Sequence, residues 1–242
     1  IDEDKIMETR SMKILEINPQ DQMDLFFQTK KRKISPRTQN QKNYFQLLNS
    51  KDIVFAYGPA GTGKTFLAVA KAVASLQQGL VKKIILSRPA VEAGEKLGFL
   101  PGDLKEKVDP FLRPIYDALY EMMPYDQVEK KLANNIIEIA PIAFMRGRTL
   151  EDCFIILDEA QNTTKIQMKM FLTRLGKNSK MVVVGDNTQI DLISKNDSGL
   201  IDASKKLKNI KDIGFIELDQ RDVIRHEVVR KIINAYEQKN SN

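Results

Sequence analysis

Residues 58 to 65 have the types and spacing needed to hold a chain of phosphates. They fit the pattern G-x-x-x-x-G-K-[ST] and read Gly58-Pro59-Ala60-Gly61-Thr62-Gly63-Lys64-Thr65. Glycines allow consecutive backbone N–H groups to turn towards phosphate oxygens, because a Cβ atom would obstruct that approach. The Lys64 ammonium can neutralise the outer phosphates, and the Thr65 hydroxyl is a hard oxygen ligand for Mg²⁺. The pattern therefore predicts a site for a nucleoside triphosphate with Mg²⁺.

The segments on either side of this phosphate loop predict the elements that position it. Residues 53–57 form an apolar run typical of a buried strand, and residues 65–73 are rich in alanine with one apolar face, which predicts a helix. In the order strand, loop, helix, the positive end of the helix dipole faces the phosphates. A glycine-rich turn without a ligand is the alternative interpretation, and these flanking elements disfavour it.

A pair of carboxylates follows a second apolar run, at 154–157. Asp158 and Glu159 directly after such a strand form the arrangement called Walker B. Asp158 can hold Mg²⁺, directly or through water, and Glu159 can orient and deprotonate an attacking water. Because the run is apolar without interruption, the strand is expected to be buried on both faces, as in a parallel sheet. Together with the phosphate loop, the pair predicts hydrolysis of the nucleotide.

Two glutamines are further candidates for contact with the nucleotide. Gln189 follows the apolar run 181–184, where its amide could touch the γ-phosphate and report hydrolysis. Gln41 lies on a predicted helix, 39–48, shortly before the strand of the phosphate loop. Its amide could read the edge of adenine because it carries both a donor and an acceptor. An ordinary polar position on the helix is the alternative for Gln41.

Predicted strands and helices alternate along most of the chain. Strands are expected at 53–57, 83–87, 136–140, 154–157, 181–185 and 214–218. Helices are expected at 39–48, 65–73, 166–175, 198–207 and 223–238, with loop and helix at 97–134. This alternation predicts a doubly wound α/β domain. We place that domain at residues 36–242 and treat residues 1–35 as an N-terminal extension or linker.

The composition excludes several kinds of site. Cys153 is the only cysteine and His226 the only histidine, which rules out an intrachain disulfide, a thiolate cluster and a His-based triad. No run of 18 apolar residues is present, and the first residues lack an apolar signal core, so we expect a cytoplasmic protein with no membrane span. The net charge of +6 is compatible with a polyanion partner. The basic run 30–33 is either a solvated linker or a nucleic-acid contact.

Four segments together resemble the PhoH family of cytoplasmic ATPases. They are the phosphate loop, RPAVEAGEKLGFLPG at 88–102, MRGRTL at 145–150 and DEAQN at 158–162. The resemblance extends from about 36 to 236 and implies a RecA-like P-loop NTPase, with a three-layer α/β/α core, a mainly parallel sheet and kinship with superfamily 1 helicases. It also implies ATP hydrolysis with Mg²⁺ and a link to RNA metabolism. A nuclease domain and a sizeable RNA-binding module, which accompany some relatives, are not expected.

The resemblance assigns roles to individual residues. The implied metal ligands are Thr65 and Asp158. The implied catalytic residues are Glu159, Lys64, Arg225 and Gln189, the last belonging to the third helicase motif, GDxxQ. The residues expected to contact the nucleotide are Gln41, Gly58, Pro59, Ala60, Gly61, Thr62, Gly63, Lys64, Thr65 and Phe66.

An arginine from a neighbouring subunit is expected to complete the site. Two-lobed helicases place ATP between two RecA-like lobes, whereas this chain has room for one. We therefore predict a homo-oligomer, with a hexameric ring favoured, in which Arg225 or else Arg221 reaches the γ-phosphate of the next subunit. A salt bridge on the closing helix is the alternative role for Arg225.

Three other arginines are candidate RNA contacts because they lie on loops expected at strand ends: Arg88, Arg146 and Arg148. Guanidinium groups pair with phosphates and stack on bases. Ion pairing with Glu92, Glu95 or Asp103 is the alternative.

Three classes of function remain compatible with the sequence. A nucleic-acid-dependent ATPase is favoured by the DEAQ segment and by Gln189. A nucleotide-dependent scaffold or switch would use ATP only to control assembly. A small-molecule kinase is disfavoured because Glu159 is placed to activate water rather than an acceptor.

Overall fold

A computed structural model of the protein describes residues 26–89, 104–192, 197–224 and 228–229. Two short strands, β1 (Phe27–Gln28) and β2 (Lys33–Ile34), pair as an antiparallel hairpin. Six further strands form the central sheet: β3 (Ile53–Tyr57), β4 (Lys83–Arg88), β5 (Ile137–Pro141), β6 (Cys153–Leu157), β7 (Lys180–Gly185) and β8 (Ile213–Glu217). The helix predicted at 223–238 lies mostly outside the described residues. Within that range, residues 228 and 229 are described and are helical.

The order of the strands brings the chemically important segments to one edge of the sheet. The spatial order is β5-β4-β6-β7-β3-β8, and every neighbouring pair is parallel. Tyr57 at the end of β3 lies opposite Gly185 of β7, and Ser87 of β4 lies opposite Leu157 of β6. The carboxyl ends of these four strands, and the loops that follow them, therefore meet at the same edge.

In the described part of the chain, six α-helices of eight or more residues connect and cover the strands: α1 (Gln39–Ser50), α2 (Lys64–Gln77), α3 (Leu104–Met122), α4 (Tyr125–Ala133), α5 (Lys165–Leu172) and α6 (Gly199–Lys206). Capping residues in the sequence explain where two of these helices begin. Thr38 caps α1 by accepting a hydrogen bond from the backbone N–H of Gln41, and Thr164 with Gln167 forms a capping box at α5. Within the described residues, no helix is long and apolar enough to cross a membrane.

Alternate strand residues face two different helical layers. Val54 and Ala56 of β3 belong to the core that includes Phe45 of α1, whereas Phe55 packs in a second core with Phe171 of α5. The sheet is thus buried on both faces, which explains the unbroken apolar runs in β3, β6 and β7. The three-layer α/β/α fold with a parallel sheet that the sequence predicts is confirmed.

The β1–β2 hairpin lies within the range predicted as an extension or linker, yet it is part of the core. Phe27 and Ile34 are buried, and the Phe27 ring stacks on Phe45 with 4.0 Å between ring centroids. In the turn between the strands, the Lys31 ammonium donates to the backbone oxygen of Tyr120 at 2.7 Å. This contact, and an ion pair between Arg32 and Glu121, attach the basic run to α3.

Gly58, the first residue of the phosphate loop, cannot carry a side chain in this fold. Its φ is +141°, and a Cβ atom there would lie 1.9 Å from the backbone oxygen of Leu218. We expect Gly58→Ala to lower the free energy of unfolding by about 3–5 kcal/mol, because strain and a backbone clash add together. Urea denaturation measures this loss.

Gly79→Ala is the matched control for that substitution. Gly79 also has a positive φ, +71°, but a Cβ atom there would meet nothing within 4 Å. Its replacement should cost only about 1 kcal/mol. Equal losses for the two variants would contradict the close approach of Leu218 to the loop.

Candidate active site

The phosphate loop leads into a helix whose N-terminus no side chain caps. Gly63, in the left-handed conformation at φ +82°, precedes the first residue of α2, and no side-chain hydrogen bond caps the helix there. The first N–H groups of a helix have no partner within the helix, and its dipole is positive at that end. The phosphate loop therefore has the features of an anion-binding turn.

Lys64 lies folded against its own loop. Its ammonium donates to the backbone oxygens of Gly58 at 2.6 Å and Pro59 at 2.7 Å, and lies 3.3 Å from the Thr62 hydroxyl. The residue is only 8% exposed. Burial lowers the pKa of Lys64, while the carboxylate of Asp186 and the acids at 158 and 159 oppose that effect. These carboxylates favour the charged form of the ammonium within the loop.

The phosphate loop and the acid pair are in direct contact. The Thr65 hydroxyl donates to Oδ1 of Asp158 at 2.8 Å, and Oδ2 of the same carboxylate accepts from Nε of Arg88 at 3.1 Å. Burial raises the pKa of Asp158, and the Arg88 charge opposes that effect. Hydroxyl and carboxylate oxygens are the ligands that Mg²⁺ prefers, so Thr65 and Asp158 together fit a magnesium ion.

Glu159 is held on both of its carboxylate oxygens. Oε1 accepts from Nη2 of Arg88 at 2.9 Å, and Oε2 accepts from the amide of Gln161 at 2.6 Å. The backbone of Glu159 has φ +53°, a left-handed conformation that costs a non-glycine residue about 1–3 kcal/mol. Strain of this kind clusters at functional sites.

Gln161 connects the acid pair to the turn that follows β7. Its amide oxygen accepts from the backbone N–H of Asp186 at 2.9 Å, and Asp186 Oδ1 accepts from both the backbone N–H and the hydroxyl of Thr188. The backbone N–H of Gln189 closes the turn by donating to the Asp186 backbone oxygen at 3.1 Å. Gln161 was not among the predicted site residues, although its place two residues after Glu159 in DEAQN is a signal.

These groups surround one cavity of about 450 Å³. Its lining includes six residues of the phosphate loop or α2, both acids, an arginine and the predicted sensor glutamine. Among them are Lys64, Thr65, Arg88, Asp158, Glu159 and Gln189. A second cavity of about 620 Å³ shares Gly61, Gly63 and Phe66 with the first. The two volumes together could hold a triphosphate and the rest of a nucleotide.

Gln41 lines the second cavity, but its amide is used to hold the loop. Its oxygen accepts from the backbone N–H of Arg37 at 2.8 Å, and its nitrogen donates to the backbone oxygen of Thr62 at 3.0 Å. The residue is 2% exposed. Contact with adenine stays a prediction, and the observed contacts tie the start of α1 to the phosphate loop.

The predicted RNA-contacting arginines lie in three different environments. Arg88 is directed at the acid pair, and Arg148 makes a bidentate pair with Glu138 at 2.6 and 2.9 Å. Hydrogen bonding to Arg148 lowers the pKa of Glu138. Arg146 is exposed. The alternative acidic partners at 92, 95 and 103 lie outside the described residues.

Of the two candidate trans-acting arginines, Arg225 lies outside the described residues. Arg221 is exposed and pairs with Asp219 at 2.6 Å. The chain just before Arg225 is attached to the phosphate loop, because the backbone N–H of Ile224 donates to the oxygen of Gly61 at 3.1 Å. The segment that leads to Arg225 therefore starts beside the candidate site.

Comparison with known proteins identifies close relatives. A sequence model of the family described as PhoH-like protein matches residues 33–237. A PhoH-like protein of Bacillus subtilis is 60% identical over 211 residues, which are 87% of this chain and 66% of that protein. The protein PhoH of Escherichia coli K12 is 43% identical over 205 residues, 84% of this chain and 58% of that protein. The chain thus spans less than two thirds of the length of these relatives.

A distant likeness to a solved structure is also found. The SWI2/SNF2 ATPase core of Sulfolobus solfataricus in complex with dsDNA is 16% identical, with a TM-score of 0.42, over 77% of this chain and 45% of that chain. At a TM-score below 0.5 this likeness supports no inference about function.

Proposed function

The chain belongs to the PhoH-like protein family of P-loop NTPases, and we propose that it hydrolyses ATP with Mg²⁺ and couples turnover to RNA binding or remodelling. The observation that supports hydrolysis most directly is the contact of Thr65 with Asp158 in a cavity also lined by Lys64 and Glu159. A phosphate-binding turn, a pair of hard oxygen ligands and a carboxylate for water are the groups that phosphoryl transfer to water needs.

Each residue has one role in the proposed reaction. The loop N–H groups and Lys64 bind the phosphates. Thr65 and Asp158 would hold Mg²⁺, which would supply positive charge to neutralise the phosphates. Glu159 orients the attacking water and takes its proton. Gln189 lines the same cavity, where its amide would contact the γ-phosphate.

Phosphate release from ATP tests the catalytic part of the proposal. Release should require Mg²⁺ and stop when EDTA is added. Single-stranded RNA should raise the rate, and its binding should weaken steeply with salt because Lys and Arg contacts release counterions from the RNA. A rate of phosphate release that stays the same when RNA is added would contradict the coupling to RNA, but it would not contradict ATP hydrolysis.

The ATPase is proposed to act as a homo-oligomer, with a hexameric ring favoured, in which Arg225 of one subunit serves the next. An arginine supplied in trans contributes about 10³–10⁵ in rate, so a monomer should turn over slowly. Arg225→Ala subunits added to Lys64→Ala subunits should restore turnover. No restoration, together with a monomeric mass by light scattering, would reject the trans arginine.

A nucleotide-dependent switch is the second candidate. The hydrogen bonds of Glu159 favour this candidate. Arg88 donates to one of its carboxylate oxygens and Gln161 donates to the other. A switch of this kind would change its assembly state with ATP while releasing no phosphate. Measuring mass and phosphate release on the same sample separates the two functions.

A further inference from the structure

Arg88 makes contacts that the sequence did not predict for it. It is the last residue of β4, its side chain is 15% exposed, and it bridges the two carboxylates of the acid pair. Nε donates to Asp158 at 3.1 Å and Nη2 donates to Glu159 at 2.9 Å. The bridge depends on the sheet order, because β4 lies directly beside β6.

The bridge competes with the two groups that hydrolysis would need. A magnesium ion beside Thr65 and Asp158 would place two positive charges next to the guanidinium, and like charges repel. The hydrogen bonds that Glu159 accepts from Arg88 and Gln161 make its carboxylate a weaker base for water, because they stabilise its negative charge. A phosphate bound in the same cavity would be another partner for the guanidinium, because Arg88 lines the cavity together with Lys64 and the phosphate loop.

We propose that Arg88 recognises the terminal phosphate of ATP, and that its guanidinium leaves the acid pair and binds that phosphate when the triphosphate enters the cavity. The inference rests on the proposed ATPase function and deepens it. A guanidinium fork matches phosphate oxygens as well as it matches carboxylates. Moving to the phosphate leaves Asp158 to the metal ion and Glu159 to the water, so the site becomes hydrolytic only with a triphosphate present.

The position of Arg88 favours a nucleotide phosphate over the phosphates of RNA. Its side chain is mostly buried and its described contacts are with the acids at the carboxyl edge of the sheet. Arg146, by contrast, is exposed on the surface. Arg88 therefore discriminates between nucleotides, whereas binding of RNA is left to other residues.

Calorimetric titration of the whole chain with Mg²⁺ and either ADP or the slowly hydrolysed analogue AMP-PNP tests the proposal. Arg88→Ala should weaken AMP-PNP about 10- to 100-fold, the effect of losing a charged hydrogen bond, and change ADP less than about twofold. Arg88→Lys, which keeps the charge without the fork, should give an intermediate loss for AMP-PNP. Retained affinity for ADP also shows that the variant is folded.

Arg174→Ala is the matched control. Arg174 donates to the backbone oxygens of Met170 and Arg148 and is not among the cavity-lining residues. It should leave both affinities unchanged. Equal losses of AMP-PNP and ADP in Arg88→Ala would mean that Arg88 only positions Asp158, and no loss of either would mean that it meets no phosphate; both results overturn the inference. No binding of either nucleotide to the unaltered chain would overturn the proposed function with it.

Discussion

Lys64→Ala is expected to lower kcat/KM for ATP by roughly 10³-fold. Among the described residues that line the 450 Å³ cavity, Lys64 is the only lysine. Its ammonium bonds two carbonyl oxygens of the loop, and three nearby carboxylates oppose the lowering of its pKa by burial. Without it, negatively charged phosphates would enter a cavity that also holds the acid pair. Steady-state phosphate release and nucleotide titration measure the loss.

Lys71→Ala is the control for that substitution. Lys71 lies on the same helix, α2, and its ammonium bonds the side chain of Asn49 at 2.8 Å, away from the cavity-lining residues. It should keep kcat/KM within about twofold of the unaltered chain. An ordinary rate for Lys64→Ala, or the same loss in both variants, would contradict the assigned role of Lys64.

Glu159→Gln is expected to lower kcat by about 10²- to 10⁴-fold while leaving the affinity for ATP nearly unchanged. Glutamine has the same shape and still accepts from Arg88, but it cannot take a proton from water. The substitution therefore separates binding from hydrolysis. Single-turnover phosphate release gives the rate, and titration with Mg²⁺ and AMP-PNP gives the affinity.

Glu151→Gln is the matched change at the opposite end of β6. Glu151 is exposed and precedes the strand, so its loss should leave kcat unaltered. If Glu159→Gln hydrolysed ATP at the ordinary rate, another group would have to activate the water. If it lost nucleotide affinity instead, Glu159 would be a binding residue.

The parts of the fold that follow from local chemistry were predictable from the sequence. The six strands of the sheet were predicted from their apolar runs. The signal is clearest in β3, β6 and β7, whose residues are buried on both faces of the sheet. The phosphate loop requires glycines, a lysine and a hydroxyl at fixed spacing, so its residue types identify it. The turn of Glu159 into the left-handed conformation, in contrast, leaves no pattern in the sequence.

The ends of helices were less predictable. The helix expected to run to residue 175 ends at Leu172. There the single hydroxyl hydrogen of Thr173 is shared between the carbonyl oxygens of Lys169 and Met170. The Arg174 side chain also donates to the Met170 oxygen. Side chains that donate hydrogen bonds to the last carbonyl groups allow a helix to end early. The periodicity of apolar residues does not predict these hydrogen bonds.

Contacts between distant segments could not be derived without the order of the strands. Arg88 and Asp158 are 70 positions apart and meet only because β4 and β6 are neighbours. The hairpin at 27–34 was missed because strands of two residues are too short to show alternation. Gln41 was chosen for a nucleotide role, and its bonds to the loop backbone depend on how α1 packs.

The central claim is that the phosphate loop and the acid pair hold one triphosphate together with one divalent cation. A crystal structure of the chain with AMP-PNP and Mn²⁺, using anomalous scattering to locate the metal, tests it most directly. We expect a single anomalous peak within coordination reach of the Thr65 hydroxyl and the Asp158 carboxylate or its bound waters, with the phosphates lying on the N–H groups of the loop. Manganese or phosphates bound elsewhere, with the loop and the acids unliganded, would contradict it.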